Sequence, residues 1–111
     1  MAEPATTHAS THTSTVRIAP THPALPGHFP GRPLVPGVLL LDEVLNAAET
    51  WLQSTIRVHS LRQAKFTAPL LPDQSADLRL TLQGTALRFV VTRAQNVIAQ
   101  GLLEIAVEQR A

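Results

Sequence analysis

Residues 27–42 bring a histidine and a carboxylic acid into one short stretch of chain. His28 lies in a segment dense in proline and glycine, and Asp42 follows fourteen positions later in an apolar run. A titratable base and a carboxyl group in a dry setting are what proton-transfer catalysis requires, because one group removes a proton while the other donates or orients one. The pairing therefore predicts acid–base chemistry, with His28 as the base and Asp42 as the acid.

Both residues also have simpler interpretations. His28 could cap a turn in a proline-rich loop, and Asp42 could be a solvated helix residue. Glu43 is the alternative acid, because neighbouring helix positions face about 100° apart and one of the two can point inward while the other meets water. We expect Asp42 to face inward.

The elements that must position these residues are a stiff loop and a buried helix. Residues 20–37 hold six prolines and three glycines, a density that excludes a helix and stiffens the loop. From Gly37 to about Thr55, apolar residues recur at three- and four-residue spacing, which predicts a helix that opens at a proline or glycine. The start of this helix is apolar on most sides, so we expect a sheet to wrap around it.

The remainder of the chain has the pattern of β-strands. Apolar and polar residues alternate in short runs that are separated by turn-forming residues. The predicted strands cover residues 16–18, 56–68, 77–83, 87–92 and 97–107. Gly101 marks a bulge or a close approach in the last of them. The order predicts an α+β fold, with an antiparallel sheet of five or more strands wrapped around one long central helix.

The 111 residues suffice for one domain. Residues 1–15 are rich in Ala, Thr, Ser and His without periodicity, which predicts a disordered N-terminal tail before a domain at 16–111. This tail lacks the basic and apolar parts of a signal peptide, and the longest apolar run is far shorter than the ~20 residues that span a bilayer. We therefore expect a cytoplasmic protein without a membrane segment.

Charge and cysteine content exclude several classes of function. The net charge is +1 with neutral histidines, which argues against a broad nucleic-acid surface, since such a surface needs clustered Lys and Arg. The absence of cysteine excludes disulfides, thiolate zinc sites and cysteine nucleophiles. His8 and His12 are four positions apart, but two histidines do not make a metal site. Charged residues make up only 15% of the chain, which leaves room for an apolar face that closes in an oligomer.

The segment around His28 resembles the active-site segment of the 3-hydroxyacyl-(acyl-carrier-protein) dehydratases of the FabA/FabZ type, which have the hotdog fold. The resemblance covers residues 16–108. Its specific part is His28-Phe29-Pro30-Gly31, Pro33, Val35-Pro36-Gly37-Val38 and Asp42, with a secondary match in Lys65-Phe66, Pro69-Leu70 and Pro72.

The resemblance implies reversible removal of water from a 3-hydroxyacyl thioester, giving a trans-2-enoyl thioester, without cofactor or metal. His28 matches the catalytic histidine, Asp42 matches the helix acid, and the backbone N–H of Gly37 matches the donor to the thioester carbonyl. The acyl chain would lie in an apolar tunnel along the helix. The tunnel residues would be Phe29, Pro36, Val38 and Leu41.

The resemblance also implies partners. In this family the histidine of each site comes from one protomer and the acid from the other, so we expect a homodimer. The acyl chain would arrive on the phosphopantetheine arm of an acyl carrier protein, in fatty-acid, polyene, aryl polyene or polyketide biosynthesis. An aspartate rather than a glutamate on the helix, in so compact a chain, favours a specialised pathway.

Two other functions remain open from the sequence. A hotdog acyl thioesterase would use Asp42 to activate water at the thioester carbonyl, although the histidine loop would then have no role. A non-catalytic, acyl-binding subunit could complete a heterodimeric dehydratase, although intact His28, Gly37 and Asp42 argue for activity.

Overall fold

The computed structural model describes residues 9–18, 37–68, 70–71 and 73–109. Its five strands form one antiparallel sheet in the order β1-β3-β4-β5-β2, and one helix packs against it. The elements are β1 (Ser10–Arg17), α1 (Gly37–Leu52), β2 (Ser54–Phe66), β3 (Ser75–Gln83), β4 (Ala86–Arg93) and β5 (Asn96–Gln109). The predicted α+β arrangement is therefore confirmed.

The core lies between one face of the sheet and one face of the helix. In the central strands the alternation predicted from the sequence is clear, since Leu78, Leu80 and Phe89 are fully buried while Arg79 and Arg88 are exposed on the other face. Side chains of a strand point alternately to the two faces of a sheet, so this pattern assigns one face to the core.

One stripe of the helix packs against the sheet. Leu40, Val44 and Ala48 are spaced by four residues and have at most 3% exposure, so they form the contact of α1 with the sheet. The helix ends at Leu52, earlier than the predicted Thr55, because Gln53 adopts a left-handed conformation with φ of 50°. Within the described residues, no helix has the length and apolar character that crossing a bilayer requires.

Strand β1 begins at Ser10, so the boundary predicted between residues 15 and 16 is wrong. Residues 10–17 pair along their whole length with β3, from Ser10 opposite Leu82 to Arg17 opposite Ser75. A Ser/Thr-rich segment has no apolar period, yet threonine suits strands and the backbone ladder needs no apolar side chain. Residues 1–8 of the predicted tail lie outside the described residues.

Gly101 marks a close approach, as predicted. A Cβ atom at this position would lie 2.4 Å from the backbone oxygen of Gln63 and 2.5 Å from the ring of Phe89. The pairing of β2 with β5 shifts register between Leu61 and Gln63, next to this point. Only glycine lets the bulged strand and the phenyl ring lie this close to β5.

We expect Gly101→Ala to lower the free energy of unfolding by about 2–3 kcal/mol, because the new methyl group collides with backbone as well as with a buried ring. Denaturant unfolding of the variant measures this loss. Gln100→Ala, at the neighbouring half-buried position, is the control and should change stability far less. Wild-type stability of Gly101→Ala would contradict the close approach.

Candidate functional site

A groove runs along the side of α1 that faces away from the core stripe. Its cavity volume is about 440 Å³. Apolar side chains from the helix and from β2 provide part of its lining, and carboxyl and amide side chains provide the rest. The lining residues are Leu39, Asp42, Glu43, Leu45, Asn46, Glu49 and Ile56. The groove therefore places hydrogen-bonding groups beside an apolar surface, which is the composition of many small-molecule sites.

The expectation that Asp42 faces inward is wrong for the single chain. Asp42 is exposed, whereas Glu43 is half-buried. The reason is geometric: Asp42 lies two positions after Leu40, about 200° around the helix, so it points away from the stripe that the sheet covers. In the described part of the chain the sheet covers one side of α1, and Asp42 opens onto the groove on another.

Two of the groove residues are not among the site residues predicted from the sequence. Asn46 and Glu49 follow Asp42 at four and seven residues, so the three form one polar stripe along the helix. A polar stripe on an otherwise apolar helix can be recognised from the spacing of its residues in the sequence. It indicates a side of the helix that meets something other than the chain's own core.

Gly37 opens the helix on which Asp42 lies. The first four N–H groups of a helix have no intrahelical acceptor, and the helix dipole adds partial positive charge at this end. The ring of Phe66 packs against Gly37, 3.1 Å from where a Cβ atom would lie. Asp42 follows Gly37 by five positions, about 7.5 Å along the helix axis. An N–H donor and a carboxyl group thus lie within the reach of one small substrate.

The remaining predicted site residues lie elsewhere or outside the described part. His28, Phe29 and Pro36 are outside the described residues, so the predicted approach of His28 to Asp42 stays a prediction. Val38 lies in the first turn of α1. Leu41 is half-buried and packs against the core.

Strand β2 leaves an apolar face uncovered beside the groove. Val58, Leu61 and Phe66 are 39%, 46% and 45% exposed. They lie on the sheet face that carries the core, since Leu61 pairs with buried Leu103 and Phe66 with buried Ala99. The strand is also the last one in the sheet order. An edge strand with a bare apolar face is a site for association.

A second, smaller cleft lies between β1 and α1. Its volume is about 280 Å³, and Glu43 and Asn46 line it as well as the groove. The ring of His12 stacks on Trp51, with 5.4 Å between the ring centroids. Trp51 packs against the core. This stack holds the polar strand β1 against the helix.

Comparison with known proteins identifies the family. The model of the ApeI-like family, described as ApeI dehydratase, matches residues 4–102. The chain belongs to the ApeI-like dehydratase family. The predicted resemblance to FabZ-type dehydratases is confirmed by curated relatives of this ApeI-like chain.

Two of those relatives are 3-hydroxyacyl-(acyl-carrier-protein) dehydratases FabZ from Wolbachia. The protein from Wolbachia sp. subsp. Drosophila simulans is 25% identical over 96 residues, which cover 76% of this chain and 67% of the relative. The protein from Wolbachia pipientis subsp. Culex pipiens is 31% identical over 87 residues, which cover 72% of this chain and 59% of the relative. The ApeI-like chain thus spans about three fifths to two thirds of the length of these relatives.

Solved structures confirm the hotdog fold. The dehydratase heterocomplex ApeI:P from Xenorhabdus doucetiae contains a chain that matches with a TM-score of 0.78 at 27% identity, covering 95% of this chain and 99% of that one. A gentisyl-coenzyme A thioesterase matches with a TM-score of 0.59 at 17% identity, covering 86% and 88%. The second likeness concerns the fold alone.

Proposed function

We propose that this chain catalyses the reversible dehydration of 3-hydroxyacyl thioesters, carried by an acyl carrier protein, to trans-2-enoyl thioesters. The observation that carries the proposal is the position of Asp42: in a chain of a dehydratase family, it opens onto a groove at the uncovered side of the helix that begins at Gly37. The thioesters would belong to fatty-acid, polyene, aryl polyene or polyketide biosynthesis.

In the proposed reaction neutral His28 removes a proton from C2 of the substrate, a role that suits imidazole near neutral pH. The electron pair of the broken C–H bond moves toward the thioester carbonyl, whose oxygen accepts a hydrogen bond from the N–H of Gly37. One such donor is typically worth ~3–4 kcal/mol of barrier. The C2–C3 double bond forms as the C3–O bond breaks, and the carboxyl group of Asp42 donates the proton with which the hydroxyl group leaves as water.

A second subunit is needed to complete this site. Asp42 is exposed in the single chain, and a proton donor in a dehydrating site requires a setting from which bulk water is excluded. The bare apolar face of β2 lies beside the groove, so a subunit that pairs along β2 would cover both at once. We propose a homodimer in which His28 of the partner copy approaches Asp42.

There are two alternatives to a homodimeric dehydratase, namely a heterodimer and a thioesterase. The likeness to a chain of the ApeI:P heterocomplex supports a heterodimer in which this chain pairs with a different hotdog subunit. The thioesterase function rests on Asp42 alone, since the thioesterase neighbour shares only the fold. Incubation with 3-hydroxyacyl and saturated acyl thioesters separates the reactions, because dehydration yields enoyl absorbance and hydrolysis yields free thiol.

We expect His28→Ala and Asp42→Asn each to lower the rate of dehydration by about 10²–10⁴-fold, because each removes one proton-transfer group. The assay follows enoyl-thioester absorbance with variants that unfold at the wild-type midpoint. Glu43→Gln is the matched control, since it neutralises the adjacent carboxyl group and should retain activity. Loss of activity in Glu43→Gln together with an active Asp42→Asn would reassign the acid to Glu43.

We expect the chain to sediment at twice its 12.0 kDa mass, and Leu61→Asp to shift it toward the single-chain mass. A carboxylate on the apolar face of β2 would be buried without a partner in the dimer. Leu71→Asp is the matched control, because Leu71 is 41% exposed but lies outside the strand. A wild-type chain that stays at the single-chain mass, or equal effects of the two variants, would contradict the homodimer through β2.

A further inference from the structure

We propose that Glu49 sets the length of the acyl chain that the groove accepts. This inference rests on the proposed function, since it assigns the groove to the acyl chain. It starts from a hydrogen bond that joins the helix to β2 at the groove. The Glu49 carboxylate accepts it through Oε2 from the backbone N–H of Ile56, with a distance of 2.8 Å.

Glu49 is the last residue of α1 that lines the groove, and this hydrogen bond ties it to β2. Glu49 and Ile56 both line the cavity, and both are half-buried. The chain turns at Gln53 immediately beyond the helix, so the start of β2 folds back beside the last helical turn. The Glu49 side chain spans the gap between them. An acyl chain that enters near Asp42 and runs along the helix therefore meets the Glu49 carboxylate and the backbone amide of Ile56.

The distance from Asp42 to Glu49 gives the expected limit. Seven residues of α-helix span about 10.5 Å. An extended chain advances about 3.3–3.6 Å per three bonds, so about nine bonds fit between the two residues. If C3 of the substrate lies at Asp42, the groove accepts acyl chains of roughly twelve carbons or fewer.

An acyl chain longer than this limit binds less favourably, for two reasons. Its apolar end would press against a half-buried carboxylate, and burying a charge against hydrocarbon is unfavourable. Displacing Glu49 would also leave the N–H of Ile56 without its acceptor. The apolar lining residue Leu45 lies between Asp42 and Glu49, and it offers the acyl chain a favourable contact before this point.

The test measures kcat/KM for 3-hydroxyacyl thioesters on a carrier protein, with chains on both sides of about twelve carbons. We expect Glu49→Ala to raise the ratio of long-chain to short-chain kcat/KM by about tenfold or more. Glu49→Gln should keep the wild-type ratio, because its amide oxygen accepts the same hydrogen bond. Glu49→Asp, one methylene shorter, should shift the ratio in the direction of the alanine variant and covers the case in which that variant does not fold.

Glu104→Ala is the matched control. Its carboxylate also accepts one hydrogen bond, from Thr85 Oγ1 at 2.8 Å, but it lies on β5 away from the groove. Its chain-length profile should equal that of the wild type. Unchanged profiles in the alanine and aspartate variants, or a shift in Glu49→Gln as large as in Glu49→Ala, would overturn the inference. A wild-type protein that dehydrates none of the thioesters would instead overturn the proposed function.

Discussion

One stripe of α1 packs against one face of the sheet, and this contact fixes the direction in which every other side of the helix points. Leu40, Val44 and Ala48 are spaced by four residues and are almost fully buried against the sheet. A helix that buries one stripe must turn its opposite side elsewhere. That opposite side carries Asp42, so the packing that builds the core also directs the proposed acid toward the groove and away from the chain's own interior.

The same contact explains why a single chain leaves the proposed site exposed to water. Among the described residues β2 is the last strand of the sheet, its apolar face is exposed, and the polar stripe of α1 borders it. An exposed carboxyl group thus lies beside an apolar face whose contact with water is unfavourable. Both become useful when another subunit covers the face and brings a base to the acid, which is the arrangement that we propose.

Much of the fold could be predicted because periodicity reports burial. Alternation in β3 and β4, and the four-residue spacing in α1, identified the elements that form the core. Residues 10–15 of β1 could not be predicted as strand, because backbone pairing with β3 holds them and composition does not reveal such pairing. The direction of Asp42 was predicted wrongly because its apolar neighbours suggest enclosure on every side, whereas Asp42 lies on the side of α1 opposite the stripe that packs against the sheet. Glu49 escaped notice because its acceptor role depends on the turn at Gln53, a tertiary feature.

Mixing inactive variants shows whether an imidazole of one subunit meets a carboxyl group of the other. His28→Ala and Asp42→Asn proteins are each purified, then mixed, unfolded and refolded together, and assayed for dehydration. In a mixed dimer one of the two sites has both groups intact, so the account predicts that activity returns in the mixture although neither variant has it alone. A mixture that exchanges subunits and remains as inactive as its components would contradict the account.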